Sequence, residues 1–180
     1  MGTVYANLIS LGGFASVVGG VAWGAAWAAQ WYLEINPGVK GWAFFLLLLG
    51  AMATLAALHV LQRERYGVPG TLVALMAFVG LGLMFVYELV ALLTEQYHPG
   101  IAWIFNVGVW AATIGSWFLG AATIATRVLP WWCGAALMAG GPVLIAVGPI
   151  LAVYLAPWVG IAWALVGYAV FRAGGRRSAS

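Results

Sequence analysis

The chain reads as an all-α integral membrane bundle, best described by six transmembrane helices with both termini in the cytoplasm, with five crossings as the runner-up. Three observations carry this reading. Of the 180 residues, 65% are hydrophobic and only 6% are charged, whereas a soluble domain carries about 25% charged residues. The apolar residues fall into runs of about 20, the length that crosses a bilayer as a helix. Finally, the arginines fall on alternate connections between those runs, as the positive-inside rule requires.

Taken in order, the first run is Val4 to Ala29 and the second Trp42 to Leu61. The third is Thr71 to Leu93 and the fourth Ile101 to Ala125. Asn36-Pro37-Gly38, Gly67-Val68-Pro69-Gly70, His98-Pro99-Gly100 and Pro130 stand between or after them. Such Pro/Gly groups end helices and turn the chain. The stretch from Trp131 to Arg172 has the length of two spans but contains Pro142, Pro149 and Pro157. One division ends a fifth helix near Ala152 and starts a sixth near Pro157; the other is a single long span with a re-entrant piece. Arg63 and Arg65 follow the second span, Arg127 the fourth, and Arg172, Arg176 and Arg177 the last. Glu34, Lys40, Glu95 and His98 occupy the other connections. Six crossings put every arginine on one side, and five do not. One transmembrane domain, 1–172, is therefore expected, followed by a polar, frayed cytoplasmic tail, 173–180. The N-terminal segment lacks a basic leader and reads as a retained first span. Arg outnumbers Lys six to one, and Ala, Gly and Val are plentiful, a bias common in GC-rich bacteria. A bacterial plasma (inner) membrane is the expected location.

Several function classes are excluded or disfavoured. The net charge of +3 comes without a basic cluster able to track phosphates, so no nucleic-acid partner is expected. The single cysteine, Cys133, allows neither an internal disulfide nor a dithiol mechanism. No zinc, iron–sulfur, P-loop or Ser–His–Asp pattern is present. Two-histidine haem ligation is not expected, because His59 and His98 fall at opposite membrane faces, with His59 read as an interfacial residue. A retinal Schiff base needs a lysine within a helix, and Lys40 reads as a loop residue.

Two sets of residues stand out. In the first span Gly12, Ser16, Gly20, Gly24 and Ala28 recur every four residues, so they share a face. A face of small residues lets helices approach closely, either inside the bundle or against a partner subunit or second copy. The second set surrounds Glu88, the one acid within a span and so a functional candidate by default. Counting from the span ends at 1.5 Å per residue, Asn106 lies at the same depth as Glu88, and Trp23, Trp27, Gln30 and Trp163 at a similar level. Trp103, Trp110 and Trp117 repeat every seven residues along the fourth span. Asn106 and Thr113 share that stripe, which predicts that it looks inward. An acid framed by indoles suits an organic cation; a protonated Glu88 bonded to Asn106 or to a backbone carbonyl, as a clamp between helices, is the structural alternative.

The function expected from sequence is a non-catalytic membrane subunit packing against lipid, pigment or partner proteins. The rival reading is a small transporter or binding protein for a hydrophobic or cationic molecule, or a proton-coupled one, centred on Glu88. An intramembrane enzyme ranks last, since chemistry needs several converging polar groups.

Overall fold

The computed structural model describes residues 2–29, 33–34, 36–140 and 148–178. They form an all-helical bundle: α1 (Gly2–Ala29), α2 (Pro37–Thr94), a single 3-10 turn (Pro99–Ile101), α3 (Ala102–Thr126), α4 (Trp131–Gly140) and α5 (Gly148–Ser178). Among the described residues, four helices (α1, α2, α3 and α5) are long and apolar enough to cross a membrane, which makes this a multi-pass membrane protein. Their outward faces carry Leu8, Leu11, Leu72, Leu75, Ile114 and Phe118 in the open. Water would not tolerate such a continuous apolar surface, but hydrocarbon does.

Helix α2 has 58 residues. Straight, it would reach about 87 Å, nearly three times a ~30 Å hydrocarbon core. It reverses instead at Gly67, whose φ of 61° and ψ of −152° lie in a region essentially reserved for glycine. The limbs on either side, 37–66 and 68–94, pack antiparallel. The rings of Phe45 and Phe85 are 4.6 Å apart, and a Cβ on Gly41 would lie 3.1 Å from Glu88 Oε1. His59 Nδ1 and the Tyr66 hydroxyl are hydrogen-bonded at 2.7 Å beside the turn. The two runs read from sequence on either side of Gly67 are these two limbs. Their starting signal is explicit: the Asn36 side chain accepts from the Gly38 N–H, and Pro37 opens the helix. Lys40 therefore belongs to the first turn of α2, not to a loop as expected.

Helix α1 is the spine. Its two glycine doublets, Gly12-Gly13 and Gly19-Gly20, are seven residues apart, so their members point the same two ways. Gly12 and Gly19 meet the first limb of α2 at the backbones of Ala53 and Leu46. Gly13 and Gly20 meet α5 at Gly167 and Gly160. Hydroxyls stitch the same seams. Thr54 Oγ1 donates to the Gly12 carbonyl at 2.9 Å, and Ser16 Oγ to the Trp163 carbonyl at 3.0 Å. Each such bond between membrane helices contributes on average about 0.6 kcal/mol. Elsewhere Gly80 and Gly115 of the second limb and α3 pack on Gly108, Ala112 and Ala77, and Gly120 of α3 packs on Gly134 of α4.

These contacts run antiparallel from helix to helix. The start of α1, the Gly67 turn, the α3–α4 connection and the end of α5 consequently lie at one end of the bundle, together with Arg63, Arg65, Arg127, Arg172 and Arg176. Lys40, Glu95 and His98 lie at the other.

Two expectations about the C-terminal third are corrected. The expected break between Ala152 and Pro157 is absent: α5 runs through Pro157 without interruption. Membrane helices tolerate an internal proline, and here Trp23 Nε1 donates to the Ala156 carbonyl at 2.8 Å, tying α5 to α1 at that level. Pro142 falls outside the described residues. The tail is not frayed either. Helix α5 continues to Ser178, because Gly174 packs on Ser10 and on the Ala6 carbonyl of α1.

The seam geometry makes a discriminating prediction. A Cβ at position 20 would clash with the Gly160 carbonyl and stand 2.8 Å from Ala164 N, whereas one at position 24 meets nothing nearer than 3.5 Å. Gly20→Ala is expected to cost about 1–3 kcal/mol and Gly24→Ala close to nothing, read as thermal unfolding midpoints in the same lipid.

Candidate ligand site

Towards the end opposite the arginines the close glycine contacts give way to large rings, and the helices part around a cavity of about 750 Å³. That is within the range of small-molecule sites. Its wall draws on α1, both limbs of α2, α3, α5 and the end of α4.

Much of the wall is a continuous belt of aromatic rings. Trp27 meets Trp23 edge-on at 5.4 Å, and Trp23 meets Phe44 at 4.9 Å. Phe44 meets Phe105 at 6.2 Å, Phe105 meets Tyr87 at 5.3 Å, and Tyr87 stacks on Tyr97 at 6.3 Å. Each ring is supplied by a different turn of α1, the two limbs or α3, except Tyr97, which comes from the connection after α2. Below the belt, Leu47, Leu48, Ala51, Leu81 and Met84 make an apolar floor, relieved by the hydroxyls of Thr113 and Ser116.

Glu88 sits at this wall with only 3% of its surface exposed. Among the described residues it accepts no hydrogen bond and forms no ion pair. Gly41 makes the room: its missing side chain leaves space for the Glu88 carboxylate and the end of Leu92. The carboxylate is felt in the adjoining connection, where burial, then the Glu88 charge, then Tyr87 hold the Tyr97 hydroxyl above its ordinary pKa. On the α1 side, Lys40 Nζ lies 5.5 Å above the Trp27 ring, and Trp27 Nε1 is a buried donor with no acceptor.

Six of the seven residues singled out as ligand candidates, Glu88, Asn106, Trp23, Trp27, Trp110 and Trp163, border this one cavity. Trp103 does not; it is 62% exposed. The inward-facing tryptophan stripe is thereby corrected. Trp103 and Trp117 point away from the bundle, and Trp110 is half exposed at the cavity's edge. The reason is that Gly108, Ala112 and Gly115 form the inner face of α3, and Trp110 lies two residues, about 200°, from Gly108. The Glu88–Asn106 clamp is absent as well: the two residues share the cavity without a hydrogen bond between them. Of the packing residues, Gly12, Ser16, Gly20 and Gly24 are all turned to α2 or α5. Sequence reasoning missed Lys40, Phe44, Tyr87 and Phe105 as parts of the site. Lys40 had a signal, the Asn36–Pro37 helix start.

At the other end, His59 borders a smaller hollow of about 280 Å³. Gln62, fully buried, accepts from Thr123 Oγ1 at 3.2 Å, while its own Nε2 has no acceptor. Gln30, expected near the level of Glu88, falls outside the described residues; Trp42, Trp131 and Trp158 are exposed.

The chain matches no known protein family, and neither characterised proteins nor solved structures give a match. Its function must be argued from the site itself.

The arrangement offers an uncompensated acid on an aromatic wall, reachable through an apolar space. The other glutamates, Glu34, Glu64 and Glu95, are exposed to the surroundings. A lipid-soluble carbodiimide is therefore expected to label Glu88 in the folded protein, and a water-soluble one to label only the other three. Peptide mass spectrometry reads the difference; a Glu88 inert to the lipid-soluble reagent would mean that its carboxyl is sealed off from the cavity.

Proposed function

We propose that the protein is an intramembrane binding protein for a hydrophobic organic cation, held by Glu88 and the aromatic belt. One observation carries this reading: a buried carboxylate, without hydrogen bond or ion pair among the described residues, on the wall of an aromatic-lined cavity. A buried carboxylate left unpaired is costly. A ligand cation offsets that cost through charge, and the ring faces add the attraction of their quadrupoles. The apolar floor selects for hydrocarbon on the same molecule. A hydrophilic solute finds too few polar groups here to replace its water.

The rival reading, an accessory subunit, drew on the small-residue stripe of α1. Those residues are engaged within the chain, so the stripe no longer favours a partner over an internal seam. Nothing comparable to the Glu88 cavity speaks for the subunit reading.

Hexyltrimethylammonium is a simple probe of the proposed site. In lipid nanodiscs it should bind the wild type saturably. Glu88→Gln, which keeps the side chain's shape and breaks no bond, should weaken binding about tenfold or more without lowering the unfolding midpoint, which should rise as the unpaired buried charge is removed. Gly41→Ala should weaken it by a smaller factor, because its Cβ would crowd the carboxylate. Undiminished binding by Glu88→Gln would remove Glu88 from the site.

We further propose six crossings, with the start of α1 and the end of α5 in the cytoplasm of a bacterial inner membrane. The arginines gathered at one end of the bundle support this orientation, and so does the pairing of the start of α1 with the end of α5. The ligand cavity then opens towards the outer face. Single cysteines introduced at Val68, exposed beside the Gly67 turn, and at Gln96, in a Cys133→Ser background, report on it. An impermeant maleimide added to intact cells should label position 96 and spare position 68; the reverse pattern would invert the protein.

A further inference from the structure

We propose that the preferred ligand is a zwitterion, with a cationic group at Glu88 and an anionic group on the Lys40 side of the same cavity. The inference rests on the Glu88 reading above and deepens it. It is carried by Lys40, which borders the same cavity as Glu88 yet forms no ion pair with it or with any other acid among the described residues. Its stem leaves the first limb of α2 next to Gly41, the residue against which the Glu88 carboxylate packs. The ammonium nevertheless reaches towards α1, where it lies over Trp27.

A simple cation bound at Glu88 would share a low-dielectric chamber with the Lys40 ammonium, and like charges repel strongly there. An anionic group on the same ligand turns this repulsion into attraction. It also meets an unused donor, because Trp27 Nε1 is buried without an acceptor among the described residues, on the side of the cavity where Lys40 lies. The site then has one partner for each charge. Glu88 and the rings of Tyr87 and Phe105 face the cation, Lys40 and Trp27 face the anion, and the floor of leucines and Met84 takes a hydrocarbon tail. The ligand class is a small zwitterionic amphiphile, an ammonium and a phosphate or carboxylate on one short tail. A free metabolite and a membrane lipid headgroup share this chemistry.

Three probes with a common six-carbon tail separate the terms: hexylphosphocholine, hexyltrimethylammonium and hexyl phosphate, titrated by calorimetry into the full-length protein in phosphatidylglycerol nanodiscs. Hexylphosphocholine is expected to bind about tenfold or more tighter than hexyltrimethylammonium. Lys40→Gln should abolish that preference while leaving hexyltrimethylammonium binding intact or stronger; Lys40→Arg, which keeps the charge, should restore the preference. Equal affinities for the two ammonium probes, with Lys40→Gln silent, would overturn the zwitterion while leaving the cation site standing. Failure of all three probes would overturn both. Repeating the titration in phosphatidylcholine nanodiscs separates the sources. A weakened hexylphosphocholine affinity identifies a lipid headgroup as competitor, an unchanged one identifies a free amphiphile, and either supports a zwitterion site.

Discussion

The close approach of helix backbones at glycine is the constraint on which the rest of this structure depends. Lipid offers no hydrophobic drive to bring one apolar helix against another, so packing quality must supply the association. In α1 the two doublets, Gly12-Gly13 and Gly19-Gly20, let α2 and α5 settle against the same spine on two neighbouring faces. The second limb of α2 and α3 repeat the device through Gly80, Gly108 and Gly115, and α3 and α4 through Gly120 and Gly134. Each seam is tight towards the arginine-bearing end. Beyond Gly20 of α1 and Gly108 of α3, the residues turning inward are Trp23, Trp27 and Phe105. Rings hold helices apart where glycines drew them together. The cavity is the geometric result of that change in side-chain size along the bundle.

The same geometry explains why a carboxylate lies where it does. Glu88 is on the second limb of α2, opposite Gly41 of the first, and the Gly67 reversal brings those two positions to one level. The hairpin therefore builds one wall of the site out of a single 58-residue element. Position 67 matters to the site at a distance: the backbone conformation there sets which residues of the two limbs face each other. Positive charge is divided in a corresponding way. The arginines collect at the tight end, and the one lysine stands at the wide end beside the acid, where it bears on ligand charge and not on helix packing.

Much of this was legible in the sequence, and the legible part has a common basis. Helical rise per residue is constant, so counting from the Pro/Gly breaks placed Glu88, Asn106, Trp23, Trp27 and Trp163 at one depth, and all five border the cavity. Helix rotation was harder to read. The heptad of Trp103, Trp110 and Trp117 looked like an inner seam, but small residues claim the inner face of α3, and bulky rings are turned outward or to the cavity's edge. Gly108, Ala112 and Gly115 carried that information. Lys40 was misplaced because Asn36-Pro37-Gly38 was read as a break, when a capping asparagine followed by proline also begins a helix. The division of the C-terminal third was misjudged because three prolines were given equal weight. Pro157 lies inside an uninterrupted helix, tied to α1 at that level by the Trp23–Ala156 hydrogen bond, a contact that no local pattern records.

The central claim is that a ligand cation sits between Glu88 and the aromatic belt. Anomalous diffraction from crystals soaked with hexyltrimethylarsonium, the arsenic analogue of the ammonium probe, tests it most directly, because the cationic atom itself is located. The account predicts one arsenic peak inside the cavity, within about 6 Å of the faces of the nearest rings and beside the Glu88 carboxylate. A peak on the lipid-facing surface only, with the cavity empty at saturating concentration, would contradict it.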